Sequence, residues 1–142
     1  MRVLLDTNVV LDVLLAREPF VHDAAELMGL IEQERIHGYL CATTVTTIAY
    51  LLEKASDASR SREAIGDLLK VFGIAEVDHV VLNSALNSSI DDFEDAVLHE
   101  SAILTDRDAI ITRNVRDFTS ASLPVYLPKT FLAAHNADAA QR

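Results

Sequence analysis

Arg2-Val3-Leu4-Leu5-Asp6-Thr7-Asn8-Val9-Val10-Leu11-Asp12-Val13-Leu14 reads as a short buried strand running straight into a helix. Arg2–Leu5 supplies the strand, and Asp6-Thr7-Asn8 are turn-forming residues where it stops. Val9, Val10, Val13 and Leu14 then share one helical face, until Glu18-Pro19 breaks the run. The same alternation continues outward. Phe20, Ala24, Leu27, Met28 and Ile31 mark a second helix, and His37-Gly38 reads as a break. Tyr39–Ala42 reads as a second strand, and Thr43 or Thr44 as the cap of a helix over Val45, Ile48 and Leu52.

Asp57–Ser61 is expected to be a loop, Ile65–Phe72 a helix stopped by Gly73, and Ile74–Val77 a strand. Asp78 reads as the cap of a helix over Val81, Leu82 and Ala85. A helix over Asp92–Ser101 turns Phe93, Ala96 and Val97 inward, and Asp91 with Glu94 has the spacing of a capping box. Ala109–Thr112 and Val125–Leu127 are the last strands, and Pro128 opens a terminal helix. Short apolar strands alternating with amphipathic helices predict an α/β fold, a three-layer sandwich around a central, mostly parallel, Rossmann-like sheet. Residues 1–135 are expected to form a single domain, with 136–142 a flexible C-terminal tail.

The 142 residues carry 12 Lys and Arg against 22 Asp and Glu, a net charge of −10. A nucleic-acid binder is usually basic, so action on a polyanion would need a local reversal of sign, which a divalent cation provides. The longest unbroken apolar run, Ile48–Leu52, is far below the ~18 residues of a membrane span. The first residues meet Asp6 too soon for a secretion signal, and the lone Cys41 fits a cytoplasmic location. The five His show no zinc spacing, and neither a phosphate-binding glycine loop nor a nucleophile elbow is present.

In such a sheet, ligands gather beyond the carboxyl ends of the strands. Asp6, Asp92, Asp95 and Asp117 are the acids placed to converge there. Each also has a plain structural reading as a helix cap, a dipole partner or a loop acid. Converging carboxylates repel unless a cation joins them, and Mg²⁺ or Mn²⁺ is the hard ion that carboxylate oxygens suit. His99, one turn after Asp95, reads as a partly exposed residue or as support for that site. Arg107, Arg113 and Arg116 lie near the same stretch and are expected either to contact phosphates or to be solvated surface.

Three motifs in order, Val3-Leu4-Leu5-Asp6-Thr7-Asn8, Asp92-Phe93-Glu94-Asp95-Ala96 and Ile111-Thr112-Arg113-Asn114-Val115-Arg116-Asp117-Phe118, resemble the PIN-domain family. Within it, they look most like the VapC-like toxins. The resemblance covers nearly the whole chain. It implies a Mg²⁺- or Mn²⁺-dependent endoribonuclease acting on RNA, the toxin of a toxin–antitoxin pair inhibited by a small antitoxin protein. It places Asp6, Asp95 and Asp117 as catalytic metal ligands, with Thr112 and Asn114 at polar positions beside the metal, and Asn8, Thr47 and Asp92 are expected to support the same site. The sequence departs from the family at one point, because Thr47 stands where a Glu is expected. Restoring an acid there, Thr47→Glu, is expected to tighten metal binding. The missing acid also favours an alternative, a catalytically weak PIN-like module that binds RNA or protein. Asp6-Thr7-Asn8 also resembles the opening of haloacid-dehalogenase phosphatases, but those carry a second Asp where Asn8 stands. A homodimer is expected, both from the family and from apolar residues over Val9–Leu15 and Phe20–Ile31 that a partner would cover.

Overall fold

The computed structural model describes residues 1–141. In chain order it contains β1 (Arg2–Leu5), α1 (Thr7–Leu14), α2 (Val21–Glu32), β2 (His37–Cys41), α3 (Ala42–Ala55), α4 (Ala58–Val71) and β3 (Gly73–Ala75). There follow α5 (His79–Leu86), α6 (Phe93–Leu104), β4 (Ala109–Ile111), a 3-10 turn at Val115–Phe118, β5 (Val125–Tyr126) and α7 (Pro128–Ala140). The sheet is wholly parallel, in the order β3-β2-β1-β4-β5. The α/β sandwich expected from the alternation is therefore what forms.

Strand pleating splits the core in two. Val3 and Leu5 of β1, Leu40 of β2, and Ala109 and Ile111 of β4 pack with residues of α1, α2, α3, α4 and α7. Leu4, Cys41 and Ile110 point the other way, onto α5 and α6. A strand covered on both faces reads as continuous apolar sequence, as Val3-Leu4-Leu5 does. Leu5 is level with both Leu40 and Ile111, so the carboxyl ends of β1, β2 and β4 line up. The chain winds outward from β1 to β3 and then returns to β4, which makes the β1/β4 edge the switch point where a crevice opens.

Several local expectations are corrected. His37-Gly38 lies within β2, and a Cβ on Gly38 would come 2.7 Å from Ile31 Cδ1. The glycine therefore allows close packing and breaks nothing. Gly73 likewise begins β3 against the Tyr39 ring and is not a helix stop. Asp57–Ser61 is not a loop. Asp57 caps α4 by accepting from the Arg60 N–H at 2.8 Å, and the Ser61 hydroxyl donates to the Ala49 carbonyl at 2.7 Å. The α3 helix begins with Cys41 at its cap, so Thr43 and Thr44 lie inside the first turn. Phe93 is exposed, and the inward face of α6 begins at Ala96.

The α7 helix runs to Ala140, past the Asn136 point where loose chain was expected, and Arg142 lies outside the described residues. The apolar residues invoked for a dimer are mostly spent inside the protomer. Val9, Val10, Leu11, Ala24, Leu27 and Ile31 are buried, while Leu15 and Phe20 stay exposed. Among the described residues no helix is long and apolar enough to cross a membrane.

Candidate metal centre

Asp6 is placed by two backbone constraints at once. Its N–H donates to the Ile111 carbonyl at 2.9 Å, which extends the sheet, while its extended backbone caps α1. The carboxylate thus sits at the sheet's carboxyl edge and at a helix N-terminus, where negative charge is favoured. One oxygen accepts from the Thr7 N–H at 2.8 Å. The other accepts from the Thr112 hydroxyl at 2.8 Å and the Asn8 amide at 3.3 Å. Asp6 is only 7% exposed, and burial pushes its carboxyl up from the usual range against the pull of those three bonds.

Thr112 and Asn8 form the frame of the site. The Thr112 hydroxyl accepts from the Asn114 N–H at 3.0 Å, and Asn8 Oδ1 accepts from the Arg113 N–H at 3.1 Å. The loop after β4 is thereby tied to the first turn of α1, and that loop leads into the 3-10 turn bearing Asp117. Asn114 contributes through its backbone N–H, and its side chain faces solvent.

Asp92 accepts from the Asp95 N–H at 2.9 Å and is the cap of α6, a role that the capping-box spacing gave to Asp91. The cap holds Asp95 in the first turn, pointing toward the sheet edge. Its carboxyl is pushed up to about 7, first by burial and then by the charges of Asp6, Asp92, Asp117 and Glu94. Those influences bring the motifs into one electrostatic cluster at the end of β1. An open groove beside it is lined by Asp91, Asp92, Asp95, Arg116 and Asp117.

The three arginines separate. Arg116 reaches the groove. Arg113 is committed elsewhere. Its Nε and Nη2 donate to the fully buried Asp12 at 2.6 and 3.2 Å, and its guanidinium lies 4.0 Å from the Phe20 ring centre. Arg107 precedes β4 and so lies at the opposite edge of the sheet, buried and stacked 3.4 Å from the Tyr39 ring centre. Its expected place among the phosphate contacts is corrected, because β4 runs from Arg107's edge toward Asp6's. His99 is buried and accepts from the Ser122 N–H at 3.1 Å, so it holds the loop that follows the 3-10 turn.

Two residues escaped the sequence reading. Asp12 is an acid inside the apolar run Val9–Leu14, a position that demands a cationic partner. Glu94 was seen only as half of a capping box. The Thr47 hydroxyl donates to the Thr43 carbonyl at 3.0 Å and lies 3.4 Å from Glu94 Oε1, so position 47 faces the start of α6.

Among the described residues, no three His, Cys, Asp or Glu side chains close on a single point suited to an ion. Asp91, Asp92, Asp95 and Asp117 line the groove, and the buried Asp6 acts on Asp95 from beside it. All the donors are hard oxygens, the kind that Mg²⁺ and Mn²⁺ take, and Mg²⁺ keeps several waters in place of a closed protein cage. The donor set fits such an ion.

The raised carboxyls give the metal-free protein a definite pH dependence. Folded Asp6 and Asp95 hold their protons to higher pH than the unfolded chain does. Stability therefore falls as pH rises from about 4 through the folded value of Asp95 near 7. Asp95 is only half-buried, so after discounting for screening its share is about 1–2 kcal/mol. In chelator, the melting temperature is expected to drop by about 5 °C between pH 5 and pH 8, and Asp95→Asn to flatten the slope. A melting temperature that climbs over that range contradicts the arrangement.

A family model described as PIN domain matches residues 2–116. No curated protein matches the sequence. Among solved structures, the chain is similar to FitAcB from Neisseria gonorrhoeae, with a TM-score of 0.68 and 19% identity, covering 89% of this chain and 97% of that one. It is similar to a toxin–antitoxin complex from Klebsiella pneumoniae, with a TM-score of 0.66 and 21% identity, at 89% and 97% coverage. VapBC-1 from nontypeable Haemophilus influenzae gives a TM-score of 0.65 and 16% identity, at 91% and 99%. At these identities the likeness is one of fold.

Proposed function

The chain belongs to the PIN-domain family, and from that premise we propose that it is a divalent-metal-dependent endoribonuclease, the toxin of a toxin–antitoxin pair. The observation that carries this reading is the gathering of Asp6, Asp95 and Asp117, from three separate stretches, into one cluster at the carboxyl edge of β1. Asp6 and Asp95 would hold Mg²⁺ or Mn²⁺, with Asp117 completing the set directly or through water. An ion held there would supply Lewis-acid polarisation of a phosphoryl oxygen and would lower the pKa of a water so that hydroxide is available to attack phosphorus.

The chain's own residues do the rest. The Thr112 hydroxyl and the Asn8 amide orient Asp6. Asp92 fixes the turn that presents Asp95. Arg116, the arginine of the three that lines the groove, would meet a phosphate of the RNA and offset the local acidity. No nucleophilic side chain is required, so hydrolysis proceeds without a covalent protein intermediate.

A small antitoxin partner and a homodimer belong to the same reading. One structural neighbour is itself a toxin–antitoxin complex, and Val80, Leu82 and Leu86 of α5 leave apolar surface for a second copy. The test uses the purified chain, whose mass by light scattering is expected to be that of a dimer. Incubated with a mixed pool of single-stranded RNAs, it is expected to cut in Mn²⁺ or Mg²⁺ and to stop in EDTA. Cleavage that persists in EDTA refutes metal dependence, and no cleavage in either metal favours a binding module.

A further inference from the structure

Thr47 leaves α3 without the acid expected there, yet the space beside it holds a carboxylate. We propose that Glu94 is a further metal-ligating residue, which supplies from the first turn of α6 the acid that α3 lacks. The inference rests on the metal-centre reading above.

Three observations support it. First, Glu94 Oε1 lies 3.4 Å from Thr47 Oγ1, so the α6 side chain reaches the very position from which an α3 acid would act. A carboxylate delivered from either helix enters the same space. Second, Glu94 is only lightly engaged, by the long bond it accepts from the Thr47 hydroxyl. The cap of α6 is Asp92 and its bond goes to the Asp95 N–H, which releases Glu94 from the capping box that the spacing suggested. No salt bridge among the described residues includes Glu94. The Thr47 hydroxyl has one proton, and the Thr43 carbonyl at 3.0 Å is the nearer acceptor. The Thr47 hydroxyl reaches Glu94 Oε1 only as its longer contact, at 3.4 Å, so the Glu94 carboxylate keeps most of its lone pairs free for a cation. Third, Glu94 stands beside Asp95 in the first turn of α6, the turn that Asp92 caps, so it leaves the same helix end as the acids of the cluster.

The tightening expected of Thr47→Glu follows a different course in this arrangement. In the native chain, that change sets two carboxylates side by side, and their repulsion offsets the gain. Its benefit appears when Glu94 has been neutralised. The experiment is calorimetric titration of Mn²⁺ alone into the native chain, Glu94→Gln, Glu94→Gln/Thr47→Glu, and Asp6→Asn. Glu94→Gln is expected to weaken the dissociation constant about tenfold, and the added Thr47→Glu to restore it to within about threefold of native.

Glu94 is exposed, so the melting temperature of metal-free Glu94→Gln should match the native protein. Unchanged Mn²⁺ affinity in folded Glu94→Gln, with binding still lost in Asp6→Asn, overturns the role of Glu94 and leaves the centre standing. A native chain that takes up no Mn²⁺ overturns both. Weakening without rescue by Thr47→Glu shows that positions 47 and 94 do not serve one space, and also counts against the proposal.

Discussion

Asp6→Asn is expected to weaken Mn²⁺ binding by about two orders of magnitude while leaving the metal-free fold as stable as before. Asp6 is the most enclosed acid of the cluster, with its carboxylate held by Thr7, Asn8 and Thr112. A unit charge ~4 Å from a divalent ion, at an effective dielectric near 20, interacts by several kcal/mol. Desolvation of the buried group takes back a large part, leaving about 3 kcal/mol, or roughly a hundredfold in the dissociation constant. RNA cleavage should fall at least in proportion. In the metal-free protein, removal of a charge that burial disfavours offsets the loss of the oxygen that accepts from Thr112 and Asn8. Calorimetry with Mn²⁺ and a melting curve in chelator read the two effects separately. A folded Asp6→Asn that keeps native affinity refutes the assignment of this edge as the metal centre.

Arg113→Met is expected to cost about 3 kcal/mol of stability and lower the melting temperature by about 10 °C. Asp12 has no exposed surface, and Arg113 gives it a two-pronged, charge-assisted pair. Removing the arginine leaves a buried carboxylate with Arg17 at 3.7 Å as its remaining ion-pair partner. The sequence alone places Arg113 among the phosphate contacts. In that case the change would raise KM for RNA and spare the melting temperature. Arg116→Met makes the contrast, since Arg116 lines the groove and is exposed. It should weaken RNA binding with little change in stability. Arg113→Met that melts like the native protein shows that the pair with Asp12 is not a structural requirement.

Much of the architecture was legible because it depends on local pattern. Val3-Leu4-Leu5 reads as a strand covered on both sides, and Asp6 directly after it falls at the carboxyl edge of the sheet. Asp78 was readable as a cap from its neighbours, and accepts from the Val81 N–H at 3.0 Å. Failures came where a residue's role is set by a distant contact. Gly38 looks like a break until Ile31 and Phe72 are seen pressing on it. Asp57–Ser61 looks like a loop until Ser61 finds the Ala49 carbonyl.

The sequence by itself determined the alternation of strands and helices, the parallel sheet, and the placing of Asp6 and Asp78 at the starts of their helices. Those follow from side-chain period and capping chemistry, which act over a few residues. Only the tertiary structure decided which charges meet. Arg107 and Arg113 stand close in the chain to Thr112, yet a strand's length and direction carry Arg107 to the far edge, and the buried Asp12 claims Arg113. Glu94 and Thr47 are separated by 47 positions and come within 3.4 Å because α3 and α6 pack together. Electrostatic partnership depends on distance and burial in three dimensions, and sequence spacing encodes these only within a single element.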